Sequence, residues 1–83
     1  MAPQDIWKSV RRRPFVPFRI TLTEGSTYEI KHPEFCLVTL SSVFIGLQPT
    51  DDPDPLAQRI VEVDVAHVVK LEPIHAPAKG KKS

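Results

Sequence analysis

Two prolines three residues apart, Pro14 and Pro17 in "RPFVPF", constrain this chain more than any other feature. Neither can sit inside a helix, and each forces the residue before it into extended geometry. Ahead of them, "PQDIWKSVRRR" carries Ile6, Trp7 and Val10 at spacings of three and four, a proline near its start, and arginines where a helix C-terminal dipole favours cations. That pattern predicts a short helix from about Gln4 to Arg12. Behind the prolines the period becomes two. Phe18, Ile20 and Leu22 alternate with Arg19, Thr21 and Thr23; after the turn signal Glu24-Gly25-Ser26, Tyr28 and Ile30 alternate with Thr27, Glu29 and Lys31. A hairpin with one buried face is expected there.

In "FCLVTLSSVFIGL" the alternation breaks: Cys36, Leu37 and Val38 are consecutive, as are Val43, Phe44 and Ile45. Two strands joined near Ser41-Ser42 and covered on both faces account for this, one face by the core and the other by the helix or another chain. The loop "QPTDDPDP" follows, too acidic and too broken by proline to pack. "RIVEVDV" and "VVKLEPI" then read as strands separated by a tight turn near Asp64 to His67, and "HAPAKGKKS" is a tail poor in hydrophobic residues, expected to be disordered. The organisation predicted is a basic helix over residues 1–13, a small β-barrel domain over 14–74 and a basic tail over 75–83. The fold class is mainly β, with the N-terminal helix followed by five short antiparallel strands in the order of a small Sm-like or SH3-like barrel. Phe18, Ile20, Leu22, Tyr28, Ile30, Leu37, Ile45, Val61, Val63, Val69 and Leu71 are expected to face inward, with Trp7 and Val10 covering an open end.

A chain of 83 residues buries only about 60% of its unfolded surface, so a partner subunit would help it. Counting by twos from Val61 and Val63 sends Ile60 outward, and the same count from Val69 and Leu71 sends Val68 outward. Two outward apolar residues on late strands predict a homo-oligomer with Ile60 and Val68 in its interface. A single cysteine excludes an internal disulfide and fits a reducing cytoplasm. No apolar run reaches the roughly 18 residues of a membrane span, and "MAPQDIWKSV" lacks an apolar signal core.

The net charge of +1 is unevenly spread. Lys8, Arg11, Arg12 and Arg13 against Asp5 give residues 1–13 a charge of +3, and Lys79, Lys81 and Lys82 give the tail another +3, leaving −5 for the body between. An acidic body repels a phosphate backbone. If RNA or another anionic partner binds, the contacts fall to Arg11, Arg12, Arg13, Lys79, Lys81 and Lys82.

The corner "HPEFC" concentrates the reactive residue types. Cys36 as a nucleophile needs a base that lowers its pKa, and His32 is the obvious candidate, yet residues four apart in a strand lie about 13 Å apart. The competing reading is a proline bend with His32 and Glu34 at the edge and Cys36 acting as a small hydrophobe. A metal set drawn from His32, Glu34, Cys36, His67 and His75 lacks zinc-finger spacing. The aspartates of "TDDPDP" lack the glycine and distal glutamate of a calcium loop, and the three glycines form no phosphate loop. The chain therefore reads as no enzyme, with no cofactor and no metal, and as a binding module for an unidentified protein.

Two resemblances sharpen this. "ITLTEGSTYEI" running into "EFCLVTL" resembles the first motif of the Sm-like family in its alternating strand, turn glycine (Gly25) and long second strand, and "VAHVVKLEP" is similar to that family's last short turn and closing strand. The resemblance implies a small barrel and an RNA-binding oligomer. Where that family's RNA binders carry a second glycine and then base-gripping polar groups, this chain has Glu29, Lys31 and "HPEF". "RPFVPFRI" and "KHPEF" also resemble short uncharacterised bacterial proteins with a Pro-Phe-x-Pro-Phe segment and a His-Pro-Glu-Phe corner, a likeness that implies a bacterial setting and no particular activity.

Overall fold

The helix α1 spans Pro3–Arg11, within a residue of its predicted limits. Pro3 occupies the first turn, where its missing N–H has no intrahelical partner to lose, and Asp5 and Arg11 lie at the ends that suit their charges. Ile6 and Val10, one turn apart, are the residues it buries. The Arg13 guanidinium folds back to donate to the carbonyls of Val10 and Arg12 at 3.3 and 2.9 Å, satisfying acceptors at the helix end. A computed structural model describes residues 1–48 and 56–74. The acidic loop over 49–55 and the basic tail over 75–83, with His75, Lys79, Lys81 and Lys82, lie outside the described residues.

β1 (Phe18–Leu22) and β2 (Thr27–Ile30) form the predicted hairpin, with Phe18 opposite Ile30 and Ile20 opposite Tyr28. Gly25 makes the turn possible: its φ of 102° is a conformation other residues adopt at a cost, and its N–H donates to the Leu22 carbonyl at 2.9 Å. The Ser26 side chain, hydrogen-bonded to Glu24 across the same turn, holds that carboxyl below the usual carboxylate range. The buried residues of β1 are Phe18, Ile20 and Leu22, as period two requires.

The predicted five-stranded barrel does not form. Among the described residues six strands make two three-stranded antiparallel sheets, ordered β2-β1-β6 and β3-β4-β5, with β3 at Cys36–Val38, β4 at Ser42–Leu47, β5 at Arg59–Asp64 and β6 at Val68–Pro73. The cause lies at the corner. Pro33 opens a 3-10 turn, Pro33–Phe35, that cuts the expected long second strand into β2 and β3 and hands the two halves to different sheets. A second 3-10 turn, Val65–His67, capped by the Asp64 carboxylate accepting from Ala66 N–H at 2.8 Å, carries the chain from β5 in one sheet to β6 in the other.

The core lies between the sheets and α1: Ile6, Val10, Phe18, Ile20, Leu22, Ile30, Cys36, Val43, Ile45, Val63 and Val68. Among the described residues no polar or charged residue is buried. Two inward expectations, and the cover expected of Trp7, are corrected. Trp7 is half exposed, because it sits one residue along the helix from the buried Ile6–Val10 stripe. Leu37 and Val69 both point outward, and Val68, expected outward, is 2% exposed. At β6 the reason is a bulge: Ile20 pairs with Leu71 and Thr21 with Lys70, but Leu22 pairs with Val68, so Val69 is an extra residue and parity flips across it. At β3 the 3-10 turn sets the phase. Cys36 enters facing inward opposite Ile45, which sends Leu37 out. Tyr28, Val61 and Leu71 are half-buried at the core margin.

Candidate functional site

The outer face of β3-β4-β5 is built by residues that alternate with the core. With Val43, Ile45 and Val63 inward, the same strands turn Leu37, Phe44, Gly46, Ile60 and Glu62 to the other side. Register aligns them in rows: Leu37 opposite Phe44, Phe44 opposite Glu62, and Gly46 opposite Ile60. Gly46 is small for a reason. A side chain there would meet Ala57 Cβ at 3.1 Å and the Phe35 ring at 3.4 Å, so its absence lets the Phe35 corner and Ala57 lie across β4. Phe35 in turn holds the His32 ring edge-on, with centroids 5.5 Å apart.

Three depressions adjoin, leading from this face around the β3 edge to α1. One, over the sheet, is lined by Phe35, Leu37, Phe44, Gly46, Ala57 and Ile60, with Glu34 at its rim beside Phe35. The next runs between α1 and β3 and includes Trp7, Arg11, Arg13, Glu34, Leu37 and Val38. The third passes Pro3, Trp7, Val38 and Leu40. Leu37 belongs to the first two, and Trp7 and Val38 to the last two, so the surface is continuous. It carries four of the exposed large hydrophobic residues: Trp7 at 51% exposure, Leu37 at 64%, Leu40 at 86% and Ile60 at 66%. Apolar patches of this kind mark interaction sites more often than scattered single exposures do.

The basic cluster divides over two places. Arg11 stacks over the Trp7 ring at 5.6 Å and, with Arg13, flanks the α1 groove. Arg12 lines a separate crevice with Val16, Phe18, Leu71 and Glu72. Among the described residues none of the three arginines has a carboxylate within salt-bridge distance.

At the "HPEFC" corner the structure gives Cys36 to the core. Burial pushes its thiol up to about 12, so at neutral pH it is the protonated hydrophobe, not a thiolate. Among the described residues no three His, Cys, Asp or Glu side chains converge as metal ligands; His32, Glu34, Cys36 and His67 do not form such a group. Of the two residues expected at an interface, Ile60 is on the exposed face and Val68 is in the core. The residues that sequence reasoning did not place on this surface are Trp7, Phe35, Leu37, Leu40 and Phe44. The signal for two of them was present in the consecutive apolar triplets of β3 and β4, which imply a second face in need of cover.

No protein-family model, curated protein or solved structure matches this chain. Among the described residues no helix is long and apolar enough to cross a membrane.

Proposed function

We propose that this chain is a non-enzymatic interaction module of the bacterial cytoplasm that docks a protein through the outer face of β3-β4-β5 and the adjoining flank of α1. The observation that carries this reading is the convergence of Trp7, Leu37, Leu40 and Ile60 on one continuous surface. The buried, protonated Cys36 favours binding over thiol catalysis. Affinity capture from a bacterial extract with the wild type and with Leu37→Asp tests it, both proteins first being shown to melt alike. A set of proteins retained by the wild type and lost by Leu37→Asp is expected; identical sets would overturn the assignment of the surface.

The Sm-like RNA-binding oligomer is the second reading, favoured by the exposed Arg11, Arg12 and Arg13 that lack carboxylate partners among the described residues. Binding through them would be indifferent to base sequence and steeply salt-dependent, each neutralised phosphate of a single strand contributing a slope of about −0.7 in log affinity against log salt. Replacing all three with glutamine and deleting residues 76–83 should abolish it. Sequence-selective RNA binding that survives both changes would overturn the role of the arginines and make the β body the reader.

A further inference from the structure

The apolar face has charged margins of opposite sign. On the α1 side stand Arg11 and Arg13, with Glu34 as the carboxylate in the same groove. On the β5 side, Glu62 lies opposite Phe44, and Asp64, in the same phase, lies opposite Ser42. The Ser42 hydroxyl donates to Glu62 at 2.8 Å, which fixes that carboxylate on the outer face. The face thus runs from net positive at α1, through Leu37, Phe44 and Ile60, to net negative at β5. A surface polarised across its strands is complementary to itself under a two-fold axis parallel to those strands: the rotation lays the positive margin of one copy over the negative margin of the other, twice, and the apolar middles on each other.

The geometry points to a second copy of this chain as the occupant of the face, in an isologous dimer in which Arg11 of each protomer meets Glu62 of its partner across packed Leu37, Phe44 and Ile60. This inference rests on the reading of the face as a docking surface and names what docks there. It differs from an edge-to-edge assembly, which would pair the end strands β5 and β6 and leave Leu37 in solvent. It also differs from a nucleic-acid site, which would use the arginines and not Glu62.

Opposite-charge exchange tests it. Sedimentation equilibrium of the wild type should give twice the chain mass of 9.3 kDa. Arg11→Glu alone and Glu62→Arg alone should each weaken the dimer by at least about tenfold, because each sets like charges against each other at both margins. Mixing the two variants should restore association as a heterodimer, since both margins are then complementary again. Leu37→Asp should leave a folded monomer; Ile60→Asp serves the same purpose should Leu37→Asp fail to fold. A wild type that stays monomeric at high micromolar concentration, a dimer indifferent to Leu37→Asp and Ile60→Asp, a closed ring of more than two chains, or a mixture that does not associate would each overturn the two-fold contact. The outcomes separate from those of the docking reading. A monomeric wild type that still retains proteins in a Leu37-dependent manner removes the second copy alone, whereas an intact Leu37-dependent dimer with no such capture removes the other partner alone.

Discussion

The central strands of the two sheets point different residues outward, Arg19 from β1 and Phe44 from β4. Arg19 has Glu29 directly opposite on one side and Glu72 on the other, and reaches them at 3.1 and 3.7 Å; Lys70 joins Glu72 at 3.5 Å. That face is complete by itself. Its charges are balanced within the sheet, and charged side chains also protect its edges from pairing with other strands. Phe44, itself half-buried, has Leu37 on one side and Glu62 on the other, and Leu37 stands 64% exposed. The same architecture therefore yields one outer face whose charges pair within the sheet and one that leaves Leu37 and Ile60 exposed, and the difference is carried by which side chains the second periodic position holds.

Both sheets share one core, and the comparison breaks first if that core is misread. Ile20, fully buried on β1, should cost about 2 to 5 kcal/mol on truncation to alanine. Chemical denaturation measures it, and a loss below about 0.5 kcal/mol would show that β1 does not pack as described. Leu71, half-buried beside it, should cost less than Ile20.

Gly46 sharpens the contrast on the apolar side. Gly46→Val places a branched side chain where Ala57 Cβ would stand 3.1 Å from its Cβ and the Phe35 ring 3.4 Å. Overpacking of this kind costs about 1 to 3 kcal/mol, read as a lowered melting temperature. A variant as stable as the wild type would mean that Phe35 does not lie across β4.

Cys36 distinguishes the two interpretations of the corner through pH. Burial raises its pKa in the folded chain to about 12, above the 9.0 of an unburied thiol, so the native state holds the proton more tightly than the unfolded chain. The resulting stabilisation is whole below pH 9 and is lost as pH rises from 9 towards 12. The slope is about 1.4 kcal/mol per pH unit. Other groups titrate there, so the measurement is the difference between the wild type and Cys36→Ala, whose curve should lack this component. The native thiol should also resist alkylation at neutral pH; rapid modification of the folded protein would place Cys36 at the surface and restore the His32 pairing as a live mechanism.

Period two is legible wherever the strands are regular, which is why alternation alone turns Phe18, Ile20, Leu22 and Ile30 inward, where the structure buries them. It failed at two irregularities that alternation cannot register. The 3-10 turn at Pro33 resets the phase into β3 and sends Leu37 outward, and the extra residue at Val69 turns Val68 inward. Trp7 was misplaced for a different reason: a helix face records direction but not how wide a stripe its neighbours cover, and here Ile6 and Val10 fill it. The uninterrupted triplets of β3 and β4 did announce a second apolar face. Whether the helix or another chain covers that face depends on where α1 docks, which is a tertiary matter.

The smallest effect tests the comparison most directly, because it sets equivalent outward positions of the two sheets against each other. Arg19→Ala removes an ion pair whose partners are more than a third exposed, so solvent screens it and the expected loss is at most about 1 kcal/mol, smaller still in high salt. Leu37→Ala truncates an apolar side chain that is 64% exposed, and in the isolated chain it should change stability by no more than about 0.5 kcal/mol, with no dependence on salt. The two therefore differ in what modulates them. Salt should shift the first, and protein concentration the second, because any stabilisation that Leu37 supplies through association grows with the concentration of the associating species. Melting curves of both variants over a range of salt and protein concentrations separate these responses. A concentration-independent Leu37→Ala and a concentration-dependent Arg19→Ala would reverse the assignment, making the charged sheet the docking surface and the apolar one merely exposed.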